Sequence, residues 1–420
     1  MAYKSRTEEY RVGLHEPATA NAASRNSDCR EAAPGATFRC LAIRTVGLPK
    51  NCMRVHTLVR IDTHRISNDE SEIRAFMTVR DEILRLPRTF EHHRKIGVTR
   101  FFVIDNGSID GSKEFLLAQP DCHLFVTHNS YAESLYSVEW QNALLNEYGV
   151  NHWCLIVDAD EWFIYPGYER TPLADLTAYL DRSGAQGMLS FMLDMYGPGT
   201  IADASAAPHR SLLETCRYFD SHYVWHRRFR IPGLHKPRCP EYNISGGPRW
   251  RLFFPFLHHH YYLLRTMWYI SETMKFPLPM TLRRAPFLTK IPFVRWLPGT
   301  RYQDPHATTP VKLSDITGVL LHFKFLEDFY TRVNIEVNRK EHWDGASEYA
   351  RYQAKLKNDP TLSFYYAGSV EYEGSDQLIK LGLLREDQGW MRIRIGGVGS
   401  HTIEEGVTAS VSDSSHRCPG

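Results

Sequence analysis

Apolar and polar positions along this chain follow two alternating periods, and the switches between them predict its elements. Ile73 to Val79 (Ile-Arg-Ala-Phe-Met-Thr-Val) reads as a strand, and Arg80-Asp-Glu follows as a turn. From Ile83 to Ile96 apolar residues fall at 83, 84, 86, 90 and 96, a helical spacing interrupted near its start by Pro87 and closed by Gly97 as a C-cap. Arg100 to Ile104 predicts a second strand. It runs into Asp105-Asn-Gly-Ser-Ile-Asp-Gly-Ser112, a loop of turn formers ahead of a helix over Lys113 to Ala118. His123 to Thr127 predicts a third strand, Ser137 to Tyr148 a helix, and Trp153 to Val157 a fourth strand.

Strands and helices alternating at this interval predict an α/β fold: a doubly wound, mostly parallel sheet with right-handed crossovers. Leu155, Ile156 and Val157 form an apolar run that ends in three carboxylates, Asp158, Asp160 and Glu161. Bare acids are costly inside a buried strand, and beyond its carboxyl end they sit where open α/β sheets bind ligands. Arg80, Asp105 and Asp158 each follow a strand and are expected on one rim. An Asp-x-Asp pair suits a hard divalent cation that prefers oxygen ligands and shares substrate phosphates. A solvated turn explains a lone Asp-x-Asp equally well.

After Tyr165 the pattern changes. Pro172 to Ser183 is helical, with Leu173, Leu176, Tyr179 and Leu180 on one face, and Gly187 to Met195 is a strand ending near Asp194. Residues 199 to 250 are irregular, with a small hairpin expected around Gly246 to Arg251. Pro255 to Tyr302 is basic and aromatic. It reads as a helical layer over the sheet, as a surface that leans on the inner membrane through residues such as Arg283, Arg284 and Lys290, or as aromatic side chains stacking against sugar rings. Three consecutive histidines, His258 to His260, point different ways in any regular element, so packing is the expected role. In Val319 to Phe325, alternation puts His322 and Lys324 on one side and Leu321, Phe323 and Phe325 on the other. Helices are expected over Asp328 to Glu341 and Ser347 to Lys357, with Glu341-His-Trp343 between them as a lid or clasp without chemistry.

Composition narrows the class. The 420 residues can bury a large core; 43% hydrophobic and 23% charged content is that of a globular chain. A net charge of +2 argues for no nucleic-acid partner. Eight cysteines without a C-x-x-C pair suit a reducing cytoplasm. Residues 1–70 read as a poorly ordered extension with one short strand near Val55 to Ile61, and 389–420 as a disordered Gly- and Ser-rich tail. Between them lies a 71–388 domain, divided at residue 165.

Three segments together, Thr78-Val-Arg-Asp-Glu, Phe101 to Ser112 with Asp-Asn-Gly-Ser-x-Asp-Gly-Ser, and Val157-Asp-Ala-Asp-Glu161, resemble the nucleotide-sugar-binding half of glycosyltransferase family 2, of the GT-A fold. Arg295-Trp, Leu320-Leu-His-Phe-Lys-Phe325 and Glu341-His-Trp343 are similar to a bacterial subgroup of family-2-like enzymes. The resemblance covers roughly residues 72 to 384. It implies a 71–165 half for the nucleotide-sugar and a 166–388 half for the acceptor.

The resemblance also implies roles. Thr78 and Arg80 match the residues that hold the nucleoside. Asp105 matches the acid that accepts a hydrogen bond from the base, which suits a uracil or guanine N–H. Asp158 and Asp160 match the metal motif, the first near the ribose and the second holding Mn²⁺ or Mg²⁺ against the diphosphate. His322 resembles the histidine that completes the coordination and tilts the choice towards manganese, with His306 as a competing ligand or acceptor contact. Lys324 falls beside the diphosphate, and Gln141 and Asn142 within reach of the sugar or ribose. Asp194 is the first candidate for the general base that deprotonates the acceptor, in an inverting displacement. Asp110 is expected to cap a helix, and Gly107 and Gly111 to supply positive φ.

Two functional classes follow. One is a glycosyltransferase moving a sugar from a nucleoside diphosphate, UDP first, to a saccharide or lipid-linked acceptor in cell-envelope or exopolysaccharide synthesis, in the cytoplasm or at the inner membrane face. The other is a GT-A-fold binding protein that has lost turnover. A nucleotidyltransferase fits less well, because its phosphate loop would be Gly-rich and Thr78-Val-Arg-Asp-Glu is not.

Overall fold

The apolar runs become the middle of one ten-stranded sheet. The computed structural model describes residues 40–44, 55–206, 210–227, 239–254 and 288–396. Its strands are β1 (Cys40–Arg44), β2 (Val55–Arg60), β3 (Ile73–Val79), β4 (Arg100–Asp105), β5 (Cys122–Val126), β6 (Trp153–Ile156), β7 (Glu161–Ile164) and β8 (Gly187–Asp194). They continue with β9 (Tyr218–Asp220), β10 (Tyr223–Arg227), β11 (Tyr242–Gly246), β12 (Thr289–Arg295), β13 (Tyr302–Asp304), β14 (Ala307–Thr308), β15 (Gly318–His322) and β16 (Ser369–Glu371). The helices are α1 (Leu86–Ile96), α2 (Ser112–Leu117), α3 (Val138–Tyr148), α4 (Leu173–Ser183), α5 (Leu212–Thr215) and α6 (Gly247–Phe253). Four more follow: α7 (Phe329–Arg339), α8 (Trp343–Asn358), α9 (Ser375–Lys380) and α10 (Gln388–Gly396).

The sheet order is β1-β2-β5-β4-β3-β6-β12-β8-β15-β7. β5, β4, β3 and β6 are mutually parallel, as are β8 and β15, while β12 runs antiparallel between β6 and β8. The period-2 pattern sorts the parallel strands cleanly onto two faces. Ala75, Met77, Phe101, Val103 and Leu155 pack in one core with α1 and α4. Phe76, Phe102, Ile104, Cys154 and Ile156 pack in the other with α3. Helices on both faces make this a doubly wound α/β fold, an arrangement consistent with the GT-A type. β4 lies on one side of β3 and β6 on the other, so the chain reverses its winding between β3 and β6. Such a switch point opens a crevice at the strands' carboxyl ends.

Several expectations change. Pro87 does not interrupt α1: it sits in the first turn, where a missing N–H costs nothing. The strand expected near Val55 to Ile61 forms as β2, pairing antiparallel with β5, and the extension adds a further strand, β1, that was not expected. The hairpin near Gly246 is β10 against β11, and Gly247 to Phe253, expected within it, is instead helix α6 with Pro in its first turn. Residues 389–396, expected as part of the disordered tail, belong to α10; Trp390 is fully buried, its indole N–H donating to Pro166 O at 2.9 Å. The basic and aromatic stretch is no continuous surface, since Lys290, Phe293 and Arg295 belong to β12 inside the sheet. Arg283, Arg284 and His258 to His260 lie outside the described residues. No helix among the described residues is long and apolar enough to cross a membrane.

Two buried histidines fasten α1 to β7. His92 stacks on Trp162, with ring centroids 4.6 Å apart and planes 6° apart, and its Nε2 lies 3.0 Å from Phe163 O. His93 accepts the Phe163 N–H on Nε2 at 3.3 Å and donates from Nδ1 to Thr89 O at 2.9 Å. Burial pushes His92 down to about 4 and His93 well below its usual range. Both folded pKa values lie below the unfolded one, so their contribution is complete above about pH 6.5 and is lost as pH falls towards 4. A denaturant titration at stepped pH is expected to lose on the order of 3 kcal/mol over that window through His92. His92→Phe is expected to flatten the decline, and an unchanged slope would remove the histidine from the account.

Candidate active site

The register of the sheet assembles the site. β8 and β15 are parallel with Asp194 opposite His322, and β15 and β7 are antiparallel with His322 opposite Glu161. Three polar residues, far apart in sequence, therefore end adjacent strands on the same side. The Phe323 N–H donates to Asp160 O at 2.7 Å, which fixes the acidic loop after β6 against the end of β15.

Asp160 Oδ2 lies 3.2 Å from His322 Nε2. On the other side of the ring, His322 Nδ1 donates to Asp194 Oδ1 at 2.6 Å, and Arg249 Nε donates to Asp194 Oδ2 at 2.7 Å. Burial alone would lower the imidazole; Asp160 and then Asp194 reverse that and raise it to about 9. Burial alone would raise the Asp160 carboxyl, and His322 with Arg85 and Arg332 holds it well below the usual carboxylate range instead. Asp194 is also held low, burial being outweighed first by Arg249 and then by His322.

A second ion cluster sits beside the first. Lys290 Nζ donates to Asp158 Oδ2 at 2.7 Å and to Glu161 Oε1 at 2.6 Å. Burial would depress the ammonium, but Asp158 and Glu161 raise it, so Lys290 stays charged. Glu161, fully buried, also accepts the Asp158 N–H at 3.1 Å, so it is the strut of the acidic loop. On the far wall Lys324 Nζ donates to Glu348 at 3.2 Å, and Glu348 is held at about 2 because Lys324 and Arg249 outweigh its burial. Arg85, fully buried, spans Phe323 O and Asp328, and Arg332 joins Glu82 to Asp328.

Of these groups Asp158, Asp160, Arg249, Lys290, His322, Lys324, Arg332 and Glu348 line one cleft of about 310 Å³. Thr78, Arg80, Asp158, Asp160, His322 and Lys324, all expected from the sequence, face it together, as does His306. Gln141 lines a cavity of about 50 Å³ alongside, with Asp158 and Lys290, and lies 3.5 Å from Thr78 Oγ1. Asn142 does not face the cleft: its side chain is buried and braces Tyr302 through N–H and C=O. Asp105 is 1% exposed, receives the Ser108 N–H and is not among the residues lining the cleft, whereas Asn106 and Arg80 are. Asp110 ties its loop to α2 and the α1 approach by accepting from Ser112 N and Ile83 N. Gly107 and Gly111 do hold positive φ, +76° and +97°.

Two expectations need correction. Asp194, the candidate general base, ends β8 directly opposite His322 on β15. Asp194 is 0% exposed and both carboxylate oxygens are engaged, so it has no oxygen facing the cleft on which to receive a substrate proton. The Asp158 carboxylate is ion-paired with Lys290, whereas Asp160 pairs with His322. Among the described residues no three His, Cys, Asp or Glu side chains gather as a metal-binding group. The donor set still suits an ion shared with a substrate. Asp160 and His322 offer one oxygen and one nitrogen 3.2 Å apart, and Asp194 fixes the ring through the other nitrogen, as carboxylates behind ligating histidines do. Lys290, Arg249, Arg332 and Glu348 were not singled out as site residues; Lys290 lay in a stretch read as surface, and the others carry no motif.

No protein-family profile matches the chain, and no curated protein matches it. Among solved structures it is similar to S. aureus TarS, at 14% identity and a TM-score of 0.24 over 30% of this chain and 23% of that one. It is also similar to S. aureus TarS 1-349, at 14% identity and a TM-score of 0.22 over 30% and 36%. The chain thus spans well under half the length of the structures it matches, and likeness of this size carries no argument about the activity.

Proposed function

We propose that this chain is a metal-assisted glycosyltransferase. It would move a sugar, with inversion, from a nucleoside diphosphate, UDP in the first instance, to a saccharide or lipid-linked acceptor in cell-envelope or exopolysaccharide synthesis. One observation carries the reading: the switch point between β3 and β6 opens into a single cleft where Asp160 and His322 meet among fixed cations. Paired acids alone would suit a solvated turn; acids opposite Arg80, Lys290, Lys324 and Arg332 suit a polyanion bridged by a cation.

Asp160 and His322 would hold Mn²⁺ or Mg²⁺, which supplies Lewis-acid neutralisation of the leaving diphosphate. Thr78 and Arg80 hold the nucleoside at the end of β3, with Asp105 supporting that floor from beneath. Asp158 faces the ribose, and Gln141 reaches the same side. Lys290 keeps Asp158 and Glu161 compact and, with Lys324, places positive charge along the phosphates. Asp194 orients His322, a positioning task that replaces the general-base role expected of it. The test is release of UDP from a panel of UDP-sugars, with oligosaccharide acceptors and Mn²⁺. Turnover of at least one donor is expected; binding of UDP without turnover of any donor would leave a binding protein.

A further inference from the structure

The segment Glu341-His-Trp343, expected to be a clasp without chemistry, forms part of the cleft wall. Asp344, Gly345 and Ala346, directly after it, all adopt left-handed backbone, with φ of 52°, 62° and 63°. Glycine does so freely, whereas an L-residue such as Ala346 pays for it, so three in succession persist only where the surroundings impose them. They do here. Glu341 accepts from Ser130 Oγ at 2.7 Å and from Ala132 N at 2.8 Å. The His342 ring packs between Tyr131 and Tyr349, at centroid distances of 5.5 and 4.8 Å, and its Nε2 meets Glu336 at 3.1 Å. Ala346 is 1% exposed.

Between these anchors stands Trp343, lining the cleft yet 57% exposed. Glu341 and His342 before it are anchored and Ala346 three residues on is buried, while Asp344 and Gly345 stay exposed, so the strained turn holds the indole out at the rim. A folded chain ordinarily covers an indole, which is its largest apolar side chain. A rigid, flat, apolar face beside a polar and cationic cavity matches one ligand chemistry well: a pyranose ring, whose C–H face is apolar while its edge carries hydroxyls.

We infer that Trp343 is a stacking platform for a pyranose ring at the mouth of the cleft, and so a residue that selects the sugar. The inference rests on the transfer reading above and names the sugar contact of that same site. The ring could belong to the donor's sugar or to the acceptor, and the experiment separates the two. Calorimetric titrations in Mn²⁺ compare the wild-type chain, Trp343→Ala and Trp343→Phe. One arm sets UDP against UDP-glucose and UDP-N-acetylglucosamine. The other uses maltotetraose and chitotetraose.

A donor ring predicts that Trp343→Ala weakens a UDP-sugar at least five-fold with UDP unchanged. An acceptor ring predicts the same loss confined to the oligosaccharide arm. Trp343→Phe is expected to keep most of the affinity in either case. Equal affinities of wild type and Trp343→Ala in both arms would overturn the platform. So would a loss shared equally by UDP and the UDP-sugars, which would place a nucleobase on the indole. Failure of the wild type to bind UDP would retire the transfer reading while the oligosaccharide arm still decides the platform.

Discussion

Asp160→Asn is expected to lower metal-supported sugar transfer by roughly 10²–10³-fold, the usual cost of losing one electrostatic contact to charge developing in the transition state. Asparagine keeps the shape of the side chain and its place against the Phe323 backbone, so the loop after β6 should stay where it is. What disappears is the negative charge that faces His322 Nε2 at 3.2 Å. Without it the pair no longer presents an anionic donor to a divalent cation, and Arg85 and Arg332 bias the site further against one. The loss is expected in kcat and in the metal concentration needed for half-maximal rate, measured at a temperature where the variant is still folded, since His322 also loses a countercharge. Steady-state rates across a manganese series check it. A variant with unchanged rate at every metal concentration would take the metal out of Asp160's hands.

Asp194→Asn is expected to act on the metal through the ring between them. With the carboxylate present, Nδ1 keeps its proton towards Asp194, so Nε2, facing Asp160, is the nitrogen that would give up its proton to an ion. The amide can turn its NH₂ towards Nδ1, which favours the other tautomer and puts a proton on the nitrogen needed for the ion. Manganese affinity is expected to fall 10–100-fold, the range seen when the group behind a ligating histidine is removed. Arg249, 4% exposed, loses its countercharge at the same time, and breaking one side of such a buried pair costs about 3–5 kcal/mol. A general base would behave differently: its loss would lower kcat at saturating metal while leaving manganese affinity intact. Titration calorimetry of the variant with manganese separates the two roles.

Much of this arrangement could be read along the chain because it is local. The runs ending at Val79, Ile104 and Val157 are apolar up to the rim and polar immediately after it, so Arg80, Asp105 and the acidic loop could be placed on one rim without coordinates, whereas Thr78 came from the family resemblance alone. What escaped is set by pairing between distant segments. Asp194 and His322 lie 128 residues apart, and only the parallel register of β8 with β15 brings them together. Each did end an apolar run with a polar residue, which was the one available sign. Lys290 sat among aromatic and basic residues that suggested a surface, because nothing in the spacing shows that β12 threads antiparallel between two strands. Arg332 and Glu348 ride on helices whose polar faces look solvated until the cleft folds over them. Asp105 went the other way: the family resemblance implied contact with a base, and the fold buries it outside the residues that line the cleft.

The central claim is that Asp160 and His322, brought together at the switch point, share a cation with a bound diphosphate. Calorimetric titration of UDP into the full chain tests it most directly, with and without Mn²⁺ and in wild type beside Asp160→Asn. Binding in the micromolar-to-millimolar range, present only with metal and lost in Asp160→Asn, is the predicted result. Metal-independent binding of equal strength in both proteins would contradict it.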